Sequence, residues 1–168
     1  AKQSAYTMDV NTALRGITGI RVEAMLGSDD KGPGLPDNGN FVVTEFEVQA
    51  APKSKPTEMK KVDLQNAKAD FLQAGFNADL TIDGNAGNQN GWAIANAGGV
   101  DHWATFETKQ PLGFDEGTTL KFVIHQNHPA EKHLLGRFRI SVTTDKTVGL
   151  SLPEKFKAIT SVPADQRD

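Results

Sequence analysis

The sequence predicts an all-β protein in which two antiparallel sheets pack face to face as a sandwich or jelly roll. Three observations lead there. Apolar and polar residues alternate with a period of two in several short segments. Sixteen glycines and eight prolines punctuate the 168 residues, as turns between many short strands require. The only helix-like pattern sits in the tail, so helix is a minor part of the fold.

The first predicted strand covers residues 19–26, where Ile20, Val22 and Ala24 alternate with Arg21 and Glu23. Residues 28–40 are too rich in glycine, proline and aspartate to hold a ladder and read as a structured loop. Residues 41–48 form the next strand. Thr44, Phe46 and Val48 share one face and Glu45 and Glu47 the other, while Phe41 and Val43 have the opposite parity, which predicts a bulge near Val43 and Thr44. Residues 51–58 read as an exposed connection and residues 60–67 as a strand through Val62 and Leu64. After Ala69-Asp70-Phe71, residues 75–91 are turn-rich and contain Ile82-Asp83-Gly84-Asn85. Three further strands are expected at 102–108, 118–126 and 136–144. In the last, Phe138, Ile140 and Val142 share one face, with Arg137, Arg139 and Ser141 on the other. Residues 111–117 read as the loop before the second of these.

The tail differs in kind. Pro153 at a first helical position, with Leu152, Phe156 and Ile159 on one side, predicts a short helix over residues 152–159, and a second helical start at residue 161 lacks a complete apolar face. The expected organisation is a sandwich domain over residues 1–150, then a short helix and the start of a linker to a following domain over 151–168.

Composition narrows the function classes. A hydrophobic fraction of 38% suffices for one sizeable core, and a net charge of −3 with no long basic run offers no electrostatic footprint for nucleic acid. No apolar run reaches the length of a membrane span, so direct membrane insertion is not expected. The absence of cysteine excludes disulfides, thiol nucleophiles and iron–sulfur ligation within the chain. No Gly-x-Ser-x-Gly elbow or phosphate-binding glycine loop occurs, and the acids Glu45, Glu47, Asp101 and Glu107 carry no pattern that selects a glycosidase pair. The chain is therefore expected not to be an enzyme.

Four groups of residues could bind a ligand. Asp83, Asn85 and Asn88 lie in a glycine-rich loop whose oxygens could converge on calcium, or could bond their own backbone as turns. Trp92 and Trp103 offer flat rings on which the C–H face of a sugar could stack, or could fill the core. His125, His128 and His133 lie within nine residues of one another, a density that could serve zinc or a polar ligand, or a surface hairpin with incidental imidazoles. Arg137 and Arg139 could fork onto acidic groups, or form the solvated face of an edge strand.

Read together, residues 19–26, Asn40-Phe41-Val42-Val43-Thr44-Glu45-Phe46-Glu47-Val48, Ala69-Asp70-Phe71, Ile82-Asp83-Gly84-Asn85, Gly91-Trp92-Ala93-Ile94 and Leu135-Gly136-Arg137-Phe138-Arg139-Ile140-Ser141-Val142-Thr143 resemble a conserved segment of large exported proteins of planctomycetes and related bacteria, which often carry a cytochrome-c-like domain. A more distant resemblance is to discoidin-like carbohydrate-binding modules with a galactose-binding-like jelly roll. Asp83-Gly84 and Trp92 look like that family's Ala-x-Asp-Gly peptide and following tryptophan, and Thr44-Glu45-Phe46-Glu47-Val48 looks like its glutamate-bearing strand. Here that strand precedes Asp83 instead of ending the domain, as in a circularly permuted relative. The resemblance implies a structural calcium ion held by Asp83 and Asn85, with Glu45 and Asn88 as further ligands.

It also implies a non-catalytic carbohydrate-binding module of a larger exported protein, placed in the periplasm, on the cell surface or outside the cell. A polysaccharide or glycan would be the partner, met by Trp103, Arg137, Arg139, His125, His128 and Trp92. The alternative is a structural or docking domain that meets neighbouring domains of the parent chain.

Overall fold

The computed structural model describes residues 3–27 and 31–146. It is an all-β sandwich. One sheet has the order β1-β9-β4-β5 and the other β10-β2-β8-β6, and every pairing is antiparallel. The strands are β1 (Ser4–Thr12), β2 (Ile17–Met25), β4 (Glu45–Pro52), β5 (Lys60–Lys61), β6 (Leu64–Ala69), β8 (His102–Leu112), β9 (Thr118–Gln126) and β10 (Arg137–Thr143). A small ribbon of β3 (Val42–Val43) and β7 (Trp92–Ala93) lies outside the two sheets, and one 3-10 turn spans Ala78–Ile82. Among the described residues no helix is long and apolar enough to cross a membrane. The helix expected over residues 152–159 and the segment after it lie outside the described residues.

Period-two alternation sets both faces of each sheet. Ile20, Val22 and Ala24 of β2, Ala104 and Phe106 of β8, Phe46 and Val48 of β4, and Leu120, Phe122 and Ile124 of β9 are buried between the sheets. Phe46 sits at the centre, 4.7 Å from the Phe106 ring across the sandwich and 6.2 Å from Phe122 beside it. Aromatic pairs in this range add to the burial of their area.

Four departures from the sequence reading have local causes. Strand β1, absent from that reading, pairs along the whole of β9 from Ser4 opposite Gln126 to Thr12 opposite Thr118. Its Tyr6, Met8 and Val10 alternate with Thr7 and Asp9 on this edge strand; Tyr6 and Met8 pack against the core while Val10 is exposed. The bulge expected near Val43 is a full break, in which Thr44 leaves both ladders, donates its amide to the His125 carbonyl and accepts the Asn127 amide on its hydroxyl. Residues 60–67 are not one strand. Lys60 and Lys61 pair with β4, then the chain crosses at Val62 and Asp63 so that Leu64 onward joins the other sheet. Asn66, with φ of 53°, marks a bulge in β6 where its register against β8 shifts. Finally, β8 runs through Pro111 and Leu112, which shortens the loop expected over 111–117.

Candidate functional site

The register of β10, β2 and β8 builds a polar platform on the outer face of their sheet. Glu23 lies directly opposite Arg139 on one side and Trp103 on the other. Arg21, two residues earlier and on the same face, lies opposite Ser141 and Thr105. Arg139 forks onto Glu23, with Nε donating at 2.5 Å and a terminal nitrogen donating at 2.9 Å. Arg21 reaches the same carboxylate at 3.3 Å and lays its guanidinium 5.1 Å from the centre of the Trp103 ring. The Arg139 hydrogen bonds hold the Glu23 carboxyl below its usual range; partial burial opposes this and the Arg21 charge assists.

Trp103 is half-buried and held from behind. Its backbone amide donates to Asp70 Oδ1 at 2.9 Å, and its carbonyl accepts the Asp70 amide at 3.1 Å. The neighbouring His102 points inward and is buried. Arg137 shares the platform face at its end, opposite Met25. The platform therefore joins three residues singled out in the sequence, Trp103, Arg137 and Arg139, with two that were not. Arg21 and Glu23 were legible as the polar face of a strand, but only the pairing of β2 between β8 and β10 shows that they connect the others.

The remaining sequence candidates fall elsewhere. Trp92 is 1% exposed and packs edge-on against Phe41 at 4.7 Å between ring centres. Its ring has no free face for a sugar, which corrects its assignment as a ligand-binding residue. The cause is the β3–β7 ribbon: Gly91 lets the chain pass so close to Val43 that a Cβ there would come within 2.0 Å of the Val43 carbonyl oxygen. His125 projects from β9 on the opposite sheet, where its Nε2 meets Glu47 Oε1 at 3.1 Å. His128 lies in the loop after β9, with ring centres 5.4 Å from His133 and 6.2 Å from Phe76.

The loop expected to hold calcium is braced by nested side-chain turns. Asp83 Oδ1 accepts the Asn85 amide at 2.8 Å, Asn85 Oδ1 accepts the Gly87 amide at 3.1 Å, and Asn88 Oδ1 accepts the Asn90 amide at 3.1 Å. The Asn88 side-chain amide also donates to Asp83 Oδ2 at 3.4 Å. Gly84, with φ of +84°, turns its amide onto Glu45 Oε1 at 3.1 Å. The side-chain oxygens of Asp83, Asn85 and Asn88 thus each accept from one of the loop's own donors. Among the described residues no three His, Asp or Glu side chains are grouped to hold a metal ion.

Glu45 is nevertheless unusual. It is 1% exposed, and its Oε2 has no hydrogen-bond partner among the described residues. Burial pushes its carboxyl up to about 7; the Gly84 amide and Lys61 pull the other way, while the charges of Asp83 and Glu47 add to the rise. The acids considered as a glycosidase pair are divided between the sheets. Glu45 and Glu47 lie on β4, whereas Glu107 on β8 accepts from the Asn66 side chain and Asp101 accepts the Leu26 amide.

No protein-family model, curated protein or solved structure matches this chain.

Proposed function

We propose that this chain is a non-catalytic carbohydrate-binding module of a larger exported protein, and that it meets a polysaccharide across the outer face of the β10-β2-β8-β6 sheet. The observation that carries this reading is the row Arg139, Glu23, Trp103, with Arg21 over the ring. A pyranose presents an apolar C–H face and a rim of hydroxyls. The Trp103 ring suits the first, once Arg21 slides aside. The Glu23 carboxylate and the two guanidiniums suit the second, as acceptor and donors already held in place by one another. Hydrogen bonds to charged groups contribute roughly 1.5–3 kcal/mol each, so a few contacts on an open face give micromolar to millimolar affinity.

Calorimetry and a glycan array on the folded domain test the proposal, with Trp103→Ala and Arg139→Ala as variants. Saturable polysaccharide binding that both variants weaken supports it. Binding that is absent across neutral and acidic glycans, combined with specific binding to adjacent parent domains, replaces it with the docking reading.

That second reading has its own structural support. At the side of the sandwich where β1 and β10 are edge strands, Met8, Val10, Phe122, Phe138, Ile140 and Val142 line an apolar groove of about 380 Å³. Val10 is 46% exposed there. An apolar groove of this kind is a common feature of surfaces that meet another polypeptide.

A further inference from the structure

The loop of residues 127–136 presents two imidazoles whose tautomers are fixed by its backbone. The Ala130 amide donates to His128 Nδ1 at 3.2 Å, so that nitrogen carries a lone pair and the proton of the neutral ring sits on Nε2. His133 has the opposite arrangement. Its Nδ1 lies 3.0 Å from the Glu131 carbonyl, which can only accept, so Nδ1 carries the proton and Nε2 the lone pair. Partial burial and the neighbouring His133 both lower the His128 pKa, which favours its neutral ring. Neither Nε2 is engaged by a described residue, and no hydrogen bond joins the two rings although their centres are 5.4 Å apart.

This pair is held rigidly. Asn127 is tied to Thr44 through its amide and to the Ala86 carbonyl through its side chain. The His133 carbonyl accepts the Val42 amide at 3.1 Å, the Leu134 carbonyl accepts the Leu35 amide at 2.9 Å, and the Leu135 amide donates to Gln126 Oε1 at 2.6 Å. Between the histidines, Lys132 adopts φ of 60°, a left-handed conformation that a long side chain rarely takes. Backbone strain of this kind persists where the surroundings impose it, and here it accompanies the turn that brings His133 back beside His128. Phe76 closes the group from the facing loop, its own amide bound to the Gln73 carbonyl at 3.0 Å.

We infer that His128, His133 and Phe76 form a separate subsite for one hydroxyl group of a pyranoside ring, with His128 Nε2–H donating to the hydroxyl oxygen and His133 Nε2 accepting its proton. A hydroxyl offers one donor and one acceptor on a single atom, which matches the pair. A carboxylate or phosphate oxygen would meet the His133 lone pair, and a divalent metal would meet the His128 proton. Phe76 supplies the apolar surface that favours a sugar ring over a simple alcohol. The site does not depend on the Trp103 platform, so either can fail alone.

Nitrogen-15 NMR of the histidine side chains in the wild-type domain gives the first test. The expected spectrum has the Nε2–H tautomer at His128 and the Nδ1–H tautomer at His133, and any other assignment overturns the proposal without a variant being made. Titration with methyl β-glucopyranoside and methyl β-galactopyranoside should then move both imidazole signals, with at least one glycoside binding more tightly than glycerol. His128→Phe and His133→Phe should each weaken that binding about fivefold, the worth of one net hydrogen bond, as read at the imidazole signal that remains. Imidazole signals that respond to neither glycoside, variants that bind as well as the wild type, or saturation by zinc in place of the glycosides would each refute the assignment.

Discussion

Asp70 and Trp103 clamp one another through two backbone-directed hydrogen bonds. The Asp70 carboxylate accepts the Trp103 amide at 2.9 Å, and the Asp70 amide donates to the Trp103 carbonyl at 3.1 Å. The second carboxylate oxygen meets His102 Nδ1 at 2.8 Å, while His102 Nε2 meets the Ala97 carbonyl at 2.6 Å. One acid therefore fixes both the buried start of β8 and the tryptophan that projects from it. Asp70→Ala should cost about 1–3 kcal/mol, because it strands a buried imidazole and a strand-end amide at once. Denaturant unfolding checks the stability. Fluorescence of the domain, in which Trp103 is the only half-exposed tryptophan among the described residues, should report greater solvent contact. An unchanged stability would mean that the clamp is incidental.

Glu45 gives stability a pH dependence of defined sign. Its folded-state pKa of about 7 lies above the ordinary 4.5, so between those values the folded protein holds a proton that the unfolded chain has released. Stability from this group is complete below about pH 4.5 and is lost as pH rises through 7. Glu45→Gln keeps an oxygen for the Gly84 amide and removes the titration. At pH 8 the variant should be more stable than the wild type by roughly 1–3 kcal/mol, and the difference should shrink towards pH 4. Thermal unfolding of both proteins across that range isolates Glu45 from the other acids. A constant difference would show that its burial carries no such cost.

Trp92 is predicted to act as core. Trp92→Ala should destabilise the domain by about 3–5 kcal/mol through the cavity left against Phe41, with Trp92→Phe costing less. Where the variants remain folded, glycan binding at the platform should be retained. A stable Trp92→Ala domain with lost binding would return this residue to the ligand site.

The Asp83 loop is predicted to hold its shape by its own hydrogen bonds. Stripping the domain with chelator and adding calcium should leave the unfolding midpoint unchanged, and Asp83→Ala should lower it in both conditions by the loss of the Asx turn, about 1 kcal/mol. A midpoint that rises with calcium in the wild type and not in Asp83→Ala would establish the ion that the resemblance implied.

The sequence by itself determined the fold class and the faces of the long strands. Ile20, Val22 and Ala24 against Arg21 and Glu23, or Phe138, Ile140 and Val142 against Arg137 and Arg139, are decided by the two-residue period of extended chain, which needs no knowledge of the partner strand. Alternation does not say which strands are neighbours. Glu23 reaches Arg139 and Trp103 only because β2 lies between β10 and β8, a pairing set by packing over more than a hundred residues of chain. The same long-range packing decided between readings that local chemistry left open. Trp92 went to the core because Gly91 and the β3–β7 ribbon draw it against Phe41, whereas Trp103 stayed half-exposed because its parity on β8 is opposite to that of the buried Ala104. Glu45 reads in sequence as one more polar residue on a strand, and it is buried because the Asp83–Gly84 turn folds onto it from nearly forty residues away. A period and a turn propensity are properties of a few adjacent residues; burial and side-chain partners are properties of what the rest of the chain places beside them.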